Sequence, residues 1–279
     1  MPASSIDASE TSPLSSPVSS PGASSLSPSA TEALPRLMAH RGLSASAPEN
    51  TLAAVRAAHE AGFTWVELDV QLLADGTPVI WHDATVKRCS NGHGRLAKLS
   101  LAEARRLDVG TWFDASFAGE HMATLDEMLA LIDTLGMGLN LELKLARGRD
   151  PAALAEATVP RAMAMLPATR LIVSSFSRSA LKAARGLEPD PTRLRLGRLY
   201  DKIPKDWEAE ARSLGVFSVH GDWTRLTEAR ARAIKAAGYR LICYTANDPE
   251  AFAPLWQWGV DAAISDDPRP FSGRLPGAV

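Results

Sequence analysis

Short apolar runs recur along this chain, most of them separated by stretches with helical periodicity, and that alternation limits the fold more than any other feature. Strand candidates fall at 37–40, 65–70, 78–81, 139–143, 171–175, 194–199, 216–220, 241–245 and 262–265. Strands separated by helical segments are the pattern of a parallel α/β protein. An eight-stranded β/α barrel fits their number and spacing better than a nucleotide-binding sheet, because no glycine-rich phosphate loop follows the first run. Nine candidates are one too many for that barrel. The turn Ala74-Asp75-Gly76-Thr77 is too short for a parallel crossover, so one run is expected to pair in a local hairpin or irregular edge.

Helix boundaries can also be read. Ser100 before Glu103, Thr124 before Glu127 and Asn247 before Glu250 have the spacing of a reciprocal capping box. Gly62, Gly136, Gly186, Gly238 and Gly259 are predicted helix exits.

Residues 1–33 are rich in Ser and Pro and poor in large apolar side chains, so a flexible tail is expected there. The barrel is assigned to 34–270, with an insertion at 91–122 and a C-terminal tail at 271–279. The insertion sets Trp112, Phe113 and Phe117 among glycine and charged residues. It is expected beside the active-site mouth, its aromatics either facing substrate or closing a satellite core.

At 46% hydrophobic residues, the 279-residue chain can bury a substantial core. The start lacks a basic, apolar export signal, and no apolar run approaches the roughly 20 residues of a membrane span. A soluble, cytoplasmic protein with no integral membrane segment is the expectation. With 30 basic and 32 acidic residues the net charge is −2, which argues against extensive nucleic-acid binding but allows a local positive pocket for a phosphate. Cys89 and Cys243 are too few and too far apart for a disulfide scaffold or a cysteine-based zinc cluster, and are read as free packing residues.

Glu67 and Asp69 are two apart on one strand, so both side chains point to the same side, and Glu142 sits centrally in another apolar run. Buried carboxylates need compensation, and Mg²⁺ or Ca²⁺ favours oxygen ligands. The three are therefore the candidate ligands of one hard divalent cation. His40 and His82 close two different strand candidates, which a barrel would bring to one catalytic rim as general base and general acid. Arg41 and Lys144 add positive charge for phosphate oxygens.

His40-Arg41-Gly42, Pro48-Glu49-Asn50-Thr51, Glu67-Leu68-Asp69-Val70, Pro78 to Asp83 and Glu142-Leu143-Lys144 resemble, in order, the motifs of the glycerophosphodiester phosphodiesterase family. The resemblance extends from about Leu37 to Pro268. It implies a TIM (β/α)8 barrel with a small insertion near the catalytic face, acting on glycerophosphodiester small molecules to give glycerol 3-phosphate and an alcohol. It also implies one divalent cation, Mg²⁺ or Ca²⁺, held by Glu67, Asp69 and Glu142, with His40 and His82 as the acid/base pair and Arg41 and Lys144 on phosphate. Trp112 and Phe113 are expected to line the glycerol or alcohol side. Tyr244 stands where many relatives carry tryptophan, keeping an aromatic wall with an added hydroxyl.

Glu49 is expected to touch the metal site, cap a helix or form a local salt bridge. Asp266 is read as a strand-end organiser, and His220 either meets a leaving group or makes a core or rim hydrogen bond. The competing functions are a phospholipid-directed phosphodiesterase or lyase on the same site and, from a different class, a noncatalytic phosphate-binding protein.

Overall fold

The computed structural model describes residues 34–275; the expected tail at 1–33 and residues 276–279 lie outside the described residues. The strands are β1 (Leu37–His40), β2 (Trp65–Leu72), β3 (Pro78–Ile80), β4 (Gly138–Leu143), β5 (Leu171–Ser175), β6 (Arg195–Tyr200), β7 (Ser218–Asp222), β8 (Arg240–Tyr244) and β9 (Ala262–Ser265). The helices are α1 (Leu52–Glu60), α2 (Leu101–Ala104), α3 (Leu125–Thr134), α4 (Pro151–Met165), α5 (Arg178–Leu187), α6 (Trp207–Leu214), α7 (Glu228–Ala236) and α8 (Pro249–Gln257).

Because β1 pairs in parallel with both β2 and β9, the eight parallel strands β1, β2 and β4 to β9 close into the expected TIM barrel. The surplus candidate is β3, which folds back antiparallel on β2 and places Ile80 opposite Val70 and Pro78 opposite Leu72. His82 therefore does not end a barrel strand. It reaches the rim because β2 overshoots the barrel and β3 returns along it, with the Trp81 amide donating to the Asp69 carbonyl at 2.8 Å.

Alternation along the strands produces two cores. Met38, Trp65, Ile172, Ile242, Ala262 and Ile264 form one cluster. Their strand neighbours Ala39, Val66, Leu68, Leu141, Val173 and Leu241 join the helix side chains in the larger cluster outside the barrel wall. Full burial of each large aliphatic side chain contributes about 1.5–3 kcal/mol.

The capping boxes at Ser100 and Thr124 form as expected. Asn247 does not cap α8; Asp248 does, accepting from the amides of Glu250 and Ala251, while Asn247 is drawn off to Asp266. Gly186 is not an exit either, since α5 continues to Leu187. Tertiary bonds from the Arg185 guanidinium to the carbonyls of Glu188, Leu194, Leu214 and Gly215 hold that last turn.

Leu96, Ala104, Val109 and Met122 of the insertion form a separate core with Leu73, Val79, Trp81, Val86 and Cys89. At the other end, Phe271 is buried against Phe252, one residue past the expected barrel limit. Both cysteines are free and buried. No helix among the described residues is long and apolar enough to cross a membrane.

Candidate active site

The site begins where β1 ends. Arg41 and Asn50 are non-glycine residues with left-handed backbone, at φ 56° and 59°. Such conformations cost a non-glycine residue roughly 1–3 kcal/mol and persist where the surroundings hold them. Here the Arg41 amide donates to Glu67 Oε2 at 3.3 Å and the Asn50 amide to the Arg41 carbonyl at 2.9 Å. Gly42 follows at φ 79°, and a Cβ there would lie 2.6 Å from Ala54 backbone and side chain, so α1 can approach only a glycine.

Asn50 then fixes Asp69 from two sides: its Nδ2 donates to Asp69 Oδ2 at 2.9 Å, and its Oδ1 accepts from the Asp69 amide at 3.1 Å. Asp69 is in register with Glu142 across β2 and β4. Glu67, Asp69 and Glu142 consequently offer carboxylate oxygens that all lie within 4.8 Å of one another, and all three residues are buried. An all-oxygen, carboxylate-rich set of this kind fits a hard divalent cation.

His40 and His82 flank the same cavity of about 220 Å³, which the three carboxylates, Arg41, Lys144 and Asn140 also line. Each histidine is backed by an aspartate. His40 Nδ1 is 2.5 Å from Asp266 Oδ1, and His82 Nδ1 is 2.7 Å from Asp83 Oδ1. Both aspartates are held down to about 2: burial of Asp266 is outweighed by His40, Asn247 and Ser44, while Asp83 is lowered mainly by Arg88. Ionised carboxylates only accept, so both Nδ1 atoms carry hydrogen and each Nε2 is left for the cavity. His40 Nε2 lies 3.8 Å from Glu67 Oε2.

Lys144 Nζ stands 3.0 Å from Glu142 and 3.5 Å from Asp69, and Arg41 Nε is 3.4 Å from Asp69. Burial lifts Glu67 well above the usual carboxylate range, with Asp69 and Glu142 adding to the rise. Burial and Asp69 likewise raise Glu142 to about 7. Burial pushes Asp69 the same way, but Lys144 and Arg41 outweigh it and hold the group below its ordinary value. Of the three carboxylates only Asp69 is thus favoured as an anion, and Lys144 and Arg41 are the cations that hold it so. His82 is lowered by burial, reinforced by Arg41 and Lys144.

The apolar side of the cavity is Phe176, Leu199, Tyr244 and Ile264. Tyr244 stacks edge-on to Phe176 at 5.9 Å, and its hydroxyl donates to the Tyr200 carbonyl at 2.9 Å, so the added hydroxyl serves the barrel. Trp112 and Phe113, expected on the substrate side, do not line this cavity. They pack edge-to-face at 5.7 Å within the insertion, and Trp112 Nε1 donates to the Val109 carbonyl at 2.8 Å. Phe176 and Tyr244 are the aromatic rings that line the cavity.

Glu49 takes the salt-bridge alternative, with Arg41 at 2.7 Å and Arg88 at 2.6 Å, while Thr51 caps α1. His220 takes the core alternative: β7 continues to Asp222, and the buried imidazole meets Ser218 Oγ at 2.8 Å. Asp83 lay within the Pro78 to Asp83 motif without a role, and sequence reasoning missed Arg88 and Gln71. Gln71 Nε2 donates to the carbonyls of Trp81, His82 and Asp83 at 2.8–3.0 Å, shaping the turn that carries His82. Its signal was its place two residues after Asp69, on the same strand face.

The model of the glycerophosphoryl diester phosphodiesterase family matches residues 40–269. A glycerophosphodiester phosphodiesterase of Caldanaerobacter subterraneus subsp. tengcongensis is 34% identical over 234 residues, 84% of this chain and 94% of that protein. Among solved structures, an Oleispira antarctica phosphodiesterase in complex with the product sn-glycerol-3-phosphate superposes with a TM-score of 0.82 at 37% identity, covering 86% of this chain and 96% of that one. A glycerophosphodiester phosphodiesterase from Agrobacterium tumefaciens gives 0.69 at 26% identity, with coverages of 85% and 99%. With the family model spanning residues 40–269 and a relative 34% identical over 84% of the chain, the protein belongs to the glycerophosphoryl diester phosphodiesterase family.

Proposed function

We propose that this enzyme hydrolyses glycerophosphodiesters to glycerol 3-phosphate and an alcohol, assisted by one Mg²⁺ or Ca²⁺. The observation that carries this reading is the single cavity into which both histidines and the three carboxylates open. The product named in the Oleispira structure supports the same phosphate-and-glycerol end. A cavity of about 220 Å³ suits a small diester rather than a diacyl lipid.

Glu67, Asp69 and Glu142 would hold the cation, which when bound polarises phosphoryl oxygens and offsets their charge. Arg41 and Lys144 draw the phosphate toward the cluster, and Phe176 and Tyr244 wall the opposite side. One histidine Nε2 accepts the proton of the attacking oxygen as the new P–O bond forms. The other, protonated, delivers its proton to the alcohol oxygen as the old P–O bond breaks. The attacking oxygen belongs to water or to the neighbouring glycerol hydroxyl; the second route gives a cyclic phosphate that water then opens.

Release of glycerol 3-phosphate from glycerophosphocholine and glycerophosphoethanolamine tests the reading, comparing chelated, Mg²⁺-loaded and Ca²⁺-loaded protein. Cation-dependent product is expected. Folded, cation-loaded protein that gives no product from either diester would sink it.

A further inference from the structure

Arg88 stands outside the cavity lining yet makes more bonds than any group inside it. Its Nε and Nη2 donate to Asp83 Oδ2 and Oδ1 at 2.7 and 2.9 Å. Its Nη1 and Nη2 donate to Glu49 Oε2 and Oε1 at 2.6 and 2.8 Å. Those carboxylates are the partners of His82 and Arg41: Asp83 Oδ1 accepts from His82 Nδ1, and Glu49 Oε1 accepts from Arg41 Nη1 at 2.7 Å. One guanidinium thus joins the loop after β1 to the turn after β3, in an alternating chain of Arg41, Glu49, Arg88, Asp83 and His82.

We propose that Arg88 is a positioning residue that sets the His82 imidazole and the Arg41 guanidinium together, coupling the insertion to the reaction. Its backbone is anchored by neighbours on both sides, because Val86 and Cys89 are buried in the core they share with the insertion. The insertion therefore reaches the reacting groups through a cation rather than through Trp112 or Phe113. An isolated pair with a half-exposed arginine contributes little. Here the fork is doubly bidentate, and without it Glu49 would keep only Arg41 and Asp83 only His82 as a side-chain partner. Glu49 Oε2 and Asp83 Oδ2 bond to no side chain but Arg88 among the described residues.

The test, which rests on the diesterase reading for its kinetic arm, compares wild type with Arg88→Met, Arg88→Lys, Asp83→Asn and the Arg88→Met/Asp83→Asn double variant on glycerophosphocholine at saturating cation. Arg88→Met is expected to lower kcat about 10- to 100-fold, the usual cost of losing a second-layer orienting partner, with KM changed far less. Methylguanidine should restore part of the rate, Arg88→Lys should fall short because it cannot fork, and Arg88→Met should cost less once Asp83→Asn is present, because only the Glu49 branch is then left to lose.

The ¹⁵N imidazole spectrum of His82 gives a second arm that needs no substrate: Arg88→Met should weaken the Nδ1–H tautomer signature seen in wild type. An unchanged His82 spectrum overturns the proposal, as does a loss that is additive with Asp83→Asn and not restored by methylguanidine. Wild type inactive on the diester would instead count against the function proposed above, and the spectrum would still decide the role of Arg88.

Discussion

His40 Nδ1 and Asp266 Oδ1 lie 2.5 Å apart although 226 residues separate them in sequence. The contact joins the ends of β1 and β9, the pair of strands that closes the barrel. Asp266 is in turn held by Ser44 Oγ at 3.1 Å and Asn247 Nδ2 at 2.7 Å. This explains why Asn247 is not a helix cap.

Asp266→Asn keeps the shape but offers His40 no carboxylate, so Nδ1–H loses its charged acceptor. General acid–base groups contribute about 10²–10⁴-fold, and a fall in kcat of roughly 10²-fold is expected from mispositioning one of them. Steady-state kinetics with parallel cation titration checks this; weakened cation binding with unchanged kcat would contradict it.

Cation binding should release protons. Burial, with Asp69 beside it, raises Glu142 to about 7, so near neutral pH it is partly protonated; burial pushes Glu67 upward as well, and a ligating carboxylate must be ionised. Affinity should therefore rise as pH increases through 7, and calorimetric enthalpies should differ between buffers of different ionisation enthalpy. Glu142→Gln should weaken binding. Enthalpies independent of buffer would refute the proton release.

The buried His220 imidazole is pushed down by desolvation to about 3, so the folded protein keeps it neutral while the unfolded chain titrates near 6.5. No stability is lost above pH 6.5. Below it the unfolded state binds the extra proton, and stability falls progressively until about pH 3, where the folded state titrates too. At pH 5 the loss attributable to this group is about 2 kcal/mol. Urea unfolding at pH 7 and pH 5 should show His220→Gln with a smaller drop than wild type; equal drops would rule the linkage out.

Gly138→Ala tests the packing at the start of β4. The added Cβ would fall 2.1 Å from Cε2 of Trp65, inside the barrel's second core. Overpacking of this kind costs about 1–3 kcal/mol, and a smaller ring at position 65, in Gly138→Ala/Trp65→Leu, should recover part of it. The midpoint of chemical denaturation is the readout, and an unchanged midpoint in the single variant would show that Trp65 moves aside freely.

Much of this architecture was legible in residue order. Apolar runs and helical segments dictated a parallel α/β barrel, because strands buried on both faces must be apolar throughout and strands covered by helices must alternate with them. The spacing of Glu67 and Asp69 put both on one face, and the strand-borne Glu142 was recognisable as a costly buried acid. Strict local chemistry is what made these features readable: pleat, capping and desolvation act over a few residues.

Closure of the ring decided the rest. Whether β3 was a barrel stave or a returning hairpin, which aspartate backed which histidine, and that Phe176 rather than Trp112 or Phe113 faces the cavity all depend on strands far apart in sequence meeting at one rim. Arg88 shows the limit most plainly. Its sequence neighbours mark it as an ordinary surface cation, and only the approach of the loop after β1 to the turn after β3 gives its guanidinium two carboxylates to hold. Pairings of that kind are fixed by the spatial convergence of loops, which no local periodicity encodes.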